Sequence, residues 1–263
     1  MVPVVIRELR RLIARMVAPV PVLNRLILAS AGYRVLTFDQ ALAAQAAASG
    51  WHSRRSAARQ AKAYGRLLTD LRAGTPRLDF QVAMQAVRAT GLSHPSLLEV
   101  GCGNGYYSEA FAKLMPGALD YTGLDNSSAM VESARAAYPG TPFIVGDATR
   151  LQFPDNAFDI VMNGVALMHI LDFADAIREA ARVALSHVVF HSVPVFADYR
   201  TTYLFKFAYG EPVVEVVFSE KELLESFSAA GLTLLHRWPA LEYDVAEATG
   251  HHSRSFTYLC RKT

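Results

Sequence analysis

Leu98-Glu99-Val100-Gly101-Cys102-Gly103-Asn104-Gly105-Tyr106 is the stretch whose reading decides the fold of this 263-residue chain. Leu97 to Val100 is a short apolar run that reads as a buried strand, and Asn104 to Met115 reads as a helix. Between them, alternate glycines let the backbone turn tightly and come close to a ligand. Working outward, strands are expected at 121–124, 143–145, 158–162 and 188–193, with helices at 127–138 and 173–184. A helix at 219–229 opens with Ser219 and Glu222, the spacing of a capping box. Segments 232–236 and 255–260 read as the last two strands. This alternation specifies an α/β fold with a doubly wound sheet of seven strands.

Before residue 95 the pattern is helical. Candidate helices cover 4–17, 22–30, 38–48, 53–73 and 78–90. In the first, Val5, Ile6, Leu9, Leu12, Ile13, Met16 and Val17 share one face and Arg7, Arg10, Arg11 and Arg15 the other. Charge divides at the same place. Up to Thr90 there are 14 basic and 4 acidic residues; beyond it there are 12 and 20. The expected organisation is a basic helical extension over 1–92, covering a cofactor pocket, and an α/β domain over 93–263 with an insertion at about 194–218.

Composition excludes several classes. With 52% hydrophobic and 19% charged residues the chain can bury a core, which rules out a disordered protein. Two cysteines, Cys102 and Cys260, cannot make a disulfide framework or a four-cysteine zinc site. Uncharged apolar runs fall short of the roughly 18 residues of a spanning helix, and the N-terminal arginines interrupt any secretory segment. A soluble cytoplasmic protein is the expectation.

The glycine spacing is G-x-G-x-G; the dinucleotide fingerprint needs a third glycine where Tyr106 stands, which argues against a nicotinamide or flavin enzyme. Asp125 ends the next strand, twenty residues after Gly105, where a carboxylate can accept both hydroxyls of a ribose. As a plain structural feature it would cap the following helix. Gly146-Asp147-Ala148 follows the third strand, where Asp147 can accept from an exocyclic amine. Three groups at successive strand ends converge on one crevice.

In order and context these elements resemble the class I S-adenosylmethionine-dependent methyltransferases, from about Ser96 to Val193 and again over the last helix and strands. The resemblance implies a Rossmann-like sheet with an antiparallel last strand, and S-adenosylmethionine as cofactor. It implies that Glu99, Gly101, Gly103 and Gly105 shape the methionine pocket. It further implies that Asp125, with Asn126 beside it, takes the ribose and that Asp147 and Ala148 meet the adenine. Phe158-Asp159-Ile160-Val161 resembles the fourth motif, which would put Asn163 and Gly164 beside the sulfonium. Tyr64, on the helix before the first strand, is a candidate cover for the pocket.

Strand four ends Met162-Asn163-Gly164-Val165, without the Asn/Asp-Pro-Pro-aromatic element of the amino-methylating nucleic-acid enzymes, and no Pro-Cys dipeptide points to cytosine chemistry. Carboxylates after strand four are too few for a catechol-type metal site, so metal-free transfer is expected, most simply to oxygen of a small molecule or glycan. His169 is the candidate general base, although a histidine there also packs or caps. His191, inside strand five, could hold the neighbouring strand end, and His251 and His252 lie on a later loop. The insertion carries Tyr199, Tyr203, Phe205, Phe207, Tyr209, Glu211 and Glu215, which suit substrate recognition or a small element packed over the sheet edge.

The helix at 4–17 equally fits a membrane surface, its own domain or a dimer partner. A nucleic-acid partner is not expected, because no aromatic-interleaved basic patch accompanies the arginines. The rival to an enzyme is a non-catalytic S-adenosylmethionine-binding scaffold that docks a partner or membrane through its basic helices.

Overall fold

A computed structural model describes residues 32–47 and 50–263 of the chain. The expected helices at 4–17 and 22–30 lie outside the described residues. The first elements are β1 (Arg34–Leu36), α1 (Phe38–Ala47), a 3-10 turn (Gly50–His52), α2 (Arg54–Arg72) and α3 (Leu78–Arg88). Ser53 starts α2 by accepting the backbone N–H of Ser56 on its hydroxyl at 3.0 Å.

The α/β part then runs β2 (Ser96–Val100), α4 (Tyr106–Leu114), β3 (Asp120–Asp125), α5 (Ser128–Ala137), β4 (Phe143–Val145) and β5 (Phe158–Asn163). A 3-10 turn (Leu167–His169), α6 (Phe173–Val183) and β6 (Ala184–Phe196) follow. Strands β2 to β6 pair in parallel in the order β4-β3-β2-β5-β6. The chain closes with β7 (Thr202–Ala208), β8 (Glu211–Ser219), α7 (Glu220–Ala229), β9 (Leu232–Pro239), α8 (Ala246–Thr249) and β10 (Arg254–Lys262). Strand β10 runs antiparallel between β6 and β9.

These strands make the expected seven, but the sheet has ten among the described residues. The three additions are β1, β7 and β8. β8 joins β6 in parallel only where Val195–Phe196 meet Phe218–Ser219, at the end of a strand 13 residues long. β7 pairs antiparallel with β8, and β1 with β7. The expected insertion is thus a hairpin that continues the sheet beyond the carboxyl end of β5. Its turn is Tyr209-Gly210, with φ of 51° and 76°, the paired positive values of a two-residue hairpin.

The capping box is also revised. Ser219 stands at the start of α7 but caps with no side-chain hydrogen bond, and Glu222 accepts the Thr201 hydroxyl instead. Thr201 in turn accepts the N–H of Ser219 at 2.9 Å, so the hairpin's approach displaces the local cap.

Two apolar layers sandwich the sheet. On one side Leu98, Val100, Val161, Val188 and Phe190 pack with α6 and α7. On the other Leu97, Ile160, Met162 and Val189 pack with α4 and with Leu68, Leu71, Phe80 and Met84 of α2 and α3. The two helices before β2 are therefore part of this second layer, and they hold the roof of the site.

Candidate active site

The glycine turn is fixed from the neighbouring strand. Gly101 and Cys102 both donate their N–H to the Leu124 carbonyl, at 2.7 and 3.0 Å. Gly101 has φ of 79°, and a Cβ there would stand 2.2 Å from the Cβ of Ala166. That packing locks the turn after β2 against the turn after β5. Asp125 closes the arrangement: its carboxylate accepts the N–H of Gly103 at 2.8 Å and that of Ser127 at 2.9 Å. Ser127, not Asp125, caps α5. Burial pushes the Asp125 carboxyl above its ordinary range, opposed by these two backbone donors.

A cavity of about 690 Å³ opens over these strand ends, within the range of roughly 300–1,000 Å³ of small-molecule sites. Gly101, Gly103, Asp125, Asn126, Asp147, Ala148, Tyr64 and His169 all line it. One Asp147 carboxylate oxygen is held by the N–H and hydroxyl of Thr149, both at 2.8 Å. Tyr64 lies flat on Tyr106, with ring centroids 3.7 Å apart and planes 18° apart. The residue that replaces the third fingerprint glycine is thus stacked under a second ring.

Gly105, Glu99 and Asn163 stand outside that lining. Gly105 is the left-handed residue that starts α4. Glu99 is 1% exposed and accepts the Tyr121 hydroxyl. Burial raises its pKa to about 8, so it is largely protonated at neutral pH. Asn163 is buried with neither amide atom hydrogen-bonded, and Asn104 Oδ1 is likewise buried without a partner. Each such atom costs about 1–3 kcal/mol unless a ligand or water completes it.

The roof comes from α2 and its preceding turn. Gln60 Oε1 accepts from the Asn104 side chain at 2.6 Å, above the glycine turn. Its neighbour Arg59 donates to the Tyr209 carbonyl at 2.8 Å, and a Cβ on Gly210 would collide with that guanidinium at 1.6 Å. Trp51 meets the rings of both His169 and Tyr209, at 4.9 and 5.7 Å between centroids.

His169 is half-buried, and its Nδ1 lies 3.0 Å from the Val214 carbonyl. A carbonyl only accepts, so Nδ1 carries the hydrogen and Nε2 keeps a lone pair. Nε2 stands 4.0 Å from Glu215. Burial lowers the His169 pKa, so the ring is neutral. Glu215 is paired with Lys206 and accepts the Tyr243 hydroxyl at 2.9 Å; Lys206 also donates to Tyr33 at 3.2 Å. Lys206, Glu215 and Tyr243 all line the cavity.

His52 also lines the cavity, whereas the other histidines singled out from the sequence lie elsewhere. His191 is fully buried between the Tyr107 hydroxyl at 2.7 Å and the Thr257 hydroxyl at 2.8 Å, joining β6 to β10 and α4. His251 stacks on Tyr199, and His252 pairs with Asp244; neither lines the cavity. Sequence reasoning missed Lys206, Tyr243, Trp51 and the use of Gln60. Glu215 and Tyr209 were visible only as members of an aromatic- and acid-rich insertion.

Residues 98–190 match the family described as methyltransferase domain. That segment carries a methyltransferase domain. Among curated relatives, demethylmenaquinone methyltransferase of Chlorobaculum tepidum is 31% identical over 134 residues, which are 49% of this chain and 54% of that protein. The Renibacterium salmoninarum protein of the same name is 35% identical over 41% of this chain and 46% of its own length. The chain thus spans about half the length of these curated relatives. Among solved structures, magnesium protoporphyrin IX methyltransferase from Synechocystis, with bound SAM, has a TM-score of 0.53 at 19% identity, covering 78% of this chain and 90% of that one. The [4+2]-cyclase SpnF has a TM-score of 0.52 at 22% identity, covering 70% and 80%. A cyclase on the same fold means that the fold leaves the reaction open. Among the described residues no helix is long and apolar enough to cross a membrane.

Proposed function

We propose that the protein transfers the methyl group of S-adenosylmethionine to an oxygen of a small molecule, without a metal. The observation that carries this reading is one cavity with Asp125 among its walls at the strand ends and a half-buried, neutral His169 beside the hairpin. Asp125, with Asn126, is assigned to the ribose, and Asp147 with Ala148 to the adenine. Gly101 and Gly103 let the methionine part approach the backbone. Gly105 shapes the turn from behind, and Glu99 supports it as a protonated acid. Asn163 offers an unsatisfied amide at the end of β5. Tyr64 covers the pocket from α2.

Methyl transfer is an in-line displacement in which the sulfonium leaves as a neutral thioether. The protein must align the nucleophile, remove its proton and exclude water. His169 Nε2 is the assigned base. The curated relatives are named for a small molecule, and the aromatic walls here favour a flat acceptor over a glycan. The basic segment 4–17, expected from its sequence to be an amphipathic helix, is a candidate for membrane contact or self-association.

The test is isothermal titration with S-adenosylmethionine and S-adenosylhomocysteine, beside Asp125→Ala. Micromolar binding that the substitution weakens by more than tenfold, about 1.4 kcal/mol, supports the donor site. A folded wild type that binds neither ligand overturns the reading. Unchanged binding by Asp125→Ala removes the assigned ribose contact.

A further inference from the structure

Lys206 and Glu215 sit on β7 and β8, beyond the matched segment 98–190. In the hairpin register Leu204 opposes Glu215 and Lys206 opposes Val213, so the charged residues are diagonal neighbours on one face. The Glu215 side chain is 2% exposed and that of Lys206 28%. A buried ion pair holds a fold no better than apolar residues of the same size. This pair lines a cavity, beside a histidine with one free lone pair.

We infer that Lys206, Glu215 and His169 form an acceptor-activating subsite for an uncharged molecule whose hydroxyl sits on an sp² carbon, a hydroxyarene or enol. The inference rests on the methyltransferase reading. Lys206 and Glu215 sum to zero charge. A carboxylate acceptor would meet Glu215 and need no base, and an ammonium acceptor would meet Lys206. An acidic hydroxyl needs a base to take its proton and a cation to hold the oxygen anion. Lys206 has three N–H donors and uses two, on Glu215 and Tyr33. Trp51, Phe207, Tyr209 and Tyr243 line the cavity with rings suited to a flat molecule.

In the step, the acceptor O–H bond breaks, the proton goes to His169 Nε2, and the electron pair stays on oxygen beside the Lys206 ammonium. That oxygen forms the bond to the methyl group while the C–S bond breaks, its electron pair leaving on sulfur. The imidazolium is held by Glu215, a positioning residue, and returns its proton to water as product leaves. His169 is faced by Trp51 from the roof, Lys206 from β7, and Val214 and Glu215 from β8. Burial pushes Lys206 down, but Glu215 and Tyr33 outweigh it and hold its ammonium charged.

The test uses 1-naphthol as probe, added to the protein saturated with S-adenosylhomocysteine, with 1-naphthoate and 1-naphthylamine as isosteres. The naphtholate absorption band reads ionisation directly. The expected result is that naphthol binds at least about tenfold more tightly than naphthoate and ionises about one pH unit or more below its value in water. The variant Lys206→Met/Glu215→Gln strands no buried charge. It is expected to keep S-adenosylhomocysteine binding and to lose the shift, and Glu215→Gln alone is expected to reduce it. A band that titrates as in water, a naphthoate that binds as well, a shift retained in the double variant, or binding of no probe overturns the inference. Failure of S-adenosylhomocysteine to bind the wild type sinks the methyltransferase reading and this one with it; its binding without a naphthol shift sinks this one alone.

Discussion

The glycine turn and the β7–β8 hairpin line one cavity, yet they are built in opposite ways. At the glycine end the donors are backbone: N–H groups of Gly101, Cys102 and Gly103 meet the Leu124 carbonyl and the Asp125 carboxylate of the next parallel strand. At the hairpin end the contacts are side chains: Lys206, Glu215, Tyr243 and His169 arrive from four different segments. Backbone geometry demands particular residues at particular spacings, and so leaves a motif. A side-chain cluster demands only that its members meet, and leaves none. The glycine end is therefore legible in a sequence, and the hairpin end is not.

The sharpest way to break this comparison is Gly101→Val. It adds a side chain at positive φ and into Ala166, and is expected to cost about 3 kcal/mol or more, read as a large fall in thermal midpoint with loss of cofactor binding. Glu99→Gln tests the buried acid. An acid raised to about 8 keeps its proton in the folded state while the unfolded chain ionises, so stability falls as pH climbs from 4.5 toward 8. The amide variant is expected to flatten that fall, worth up to about 1.4 kcal/mol per pH unit, in denaturant melts across the window. His191 acts with the opposite sign. Its pKa is lowered by burial to about 4, so stability is lost as pH drops from 6.5 toward 4, and acid melts of His191→Gln should lose that slope. The smallest effect separates the two ends: Tyr243→Phe removes one hydrogen bond to Glu215, costing about 1 kcal/mol of stability, and is expected to leave S-adenosylhomocysteine affinity unchanged by titration calorimetry.

The parallel strands were legible because each holds an apolar run bounded by a turn; Phe143–Val145 was read residue for residue, whereas β6 extends to 13 residues beyond the expected 188–193. β1 has three residues, two of them exposed, and shows no pattern without its partner β7. The hairpin was legible as an insertion, and Tyr209-Gly210 was its available turn signal. At the site, Asp125 and Asp147 could be read from strand ends. The orientation of Glu99 could not, since it depends on Tyr121 reaching it from β3. Ser219 and Glu222 had the right spacing for a cap, but Thr201 competes for both.

Arg59 and Gln60 are consecutive in α2, yet one holds the hairpin tip and the other the glycine turn. A displacement of that helical turn strains both bonds together. A ligand that drew α2 down at one end would act on the other, and by linkage the two ligands would then strengthen each other's binding by the same factor in either order of addition.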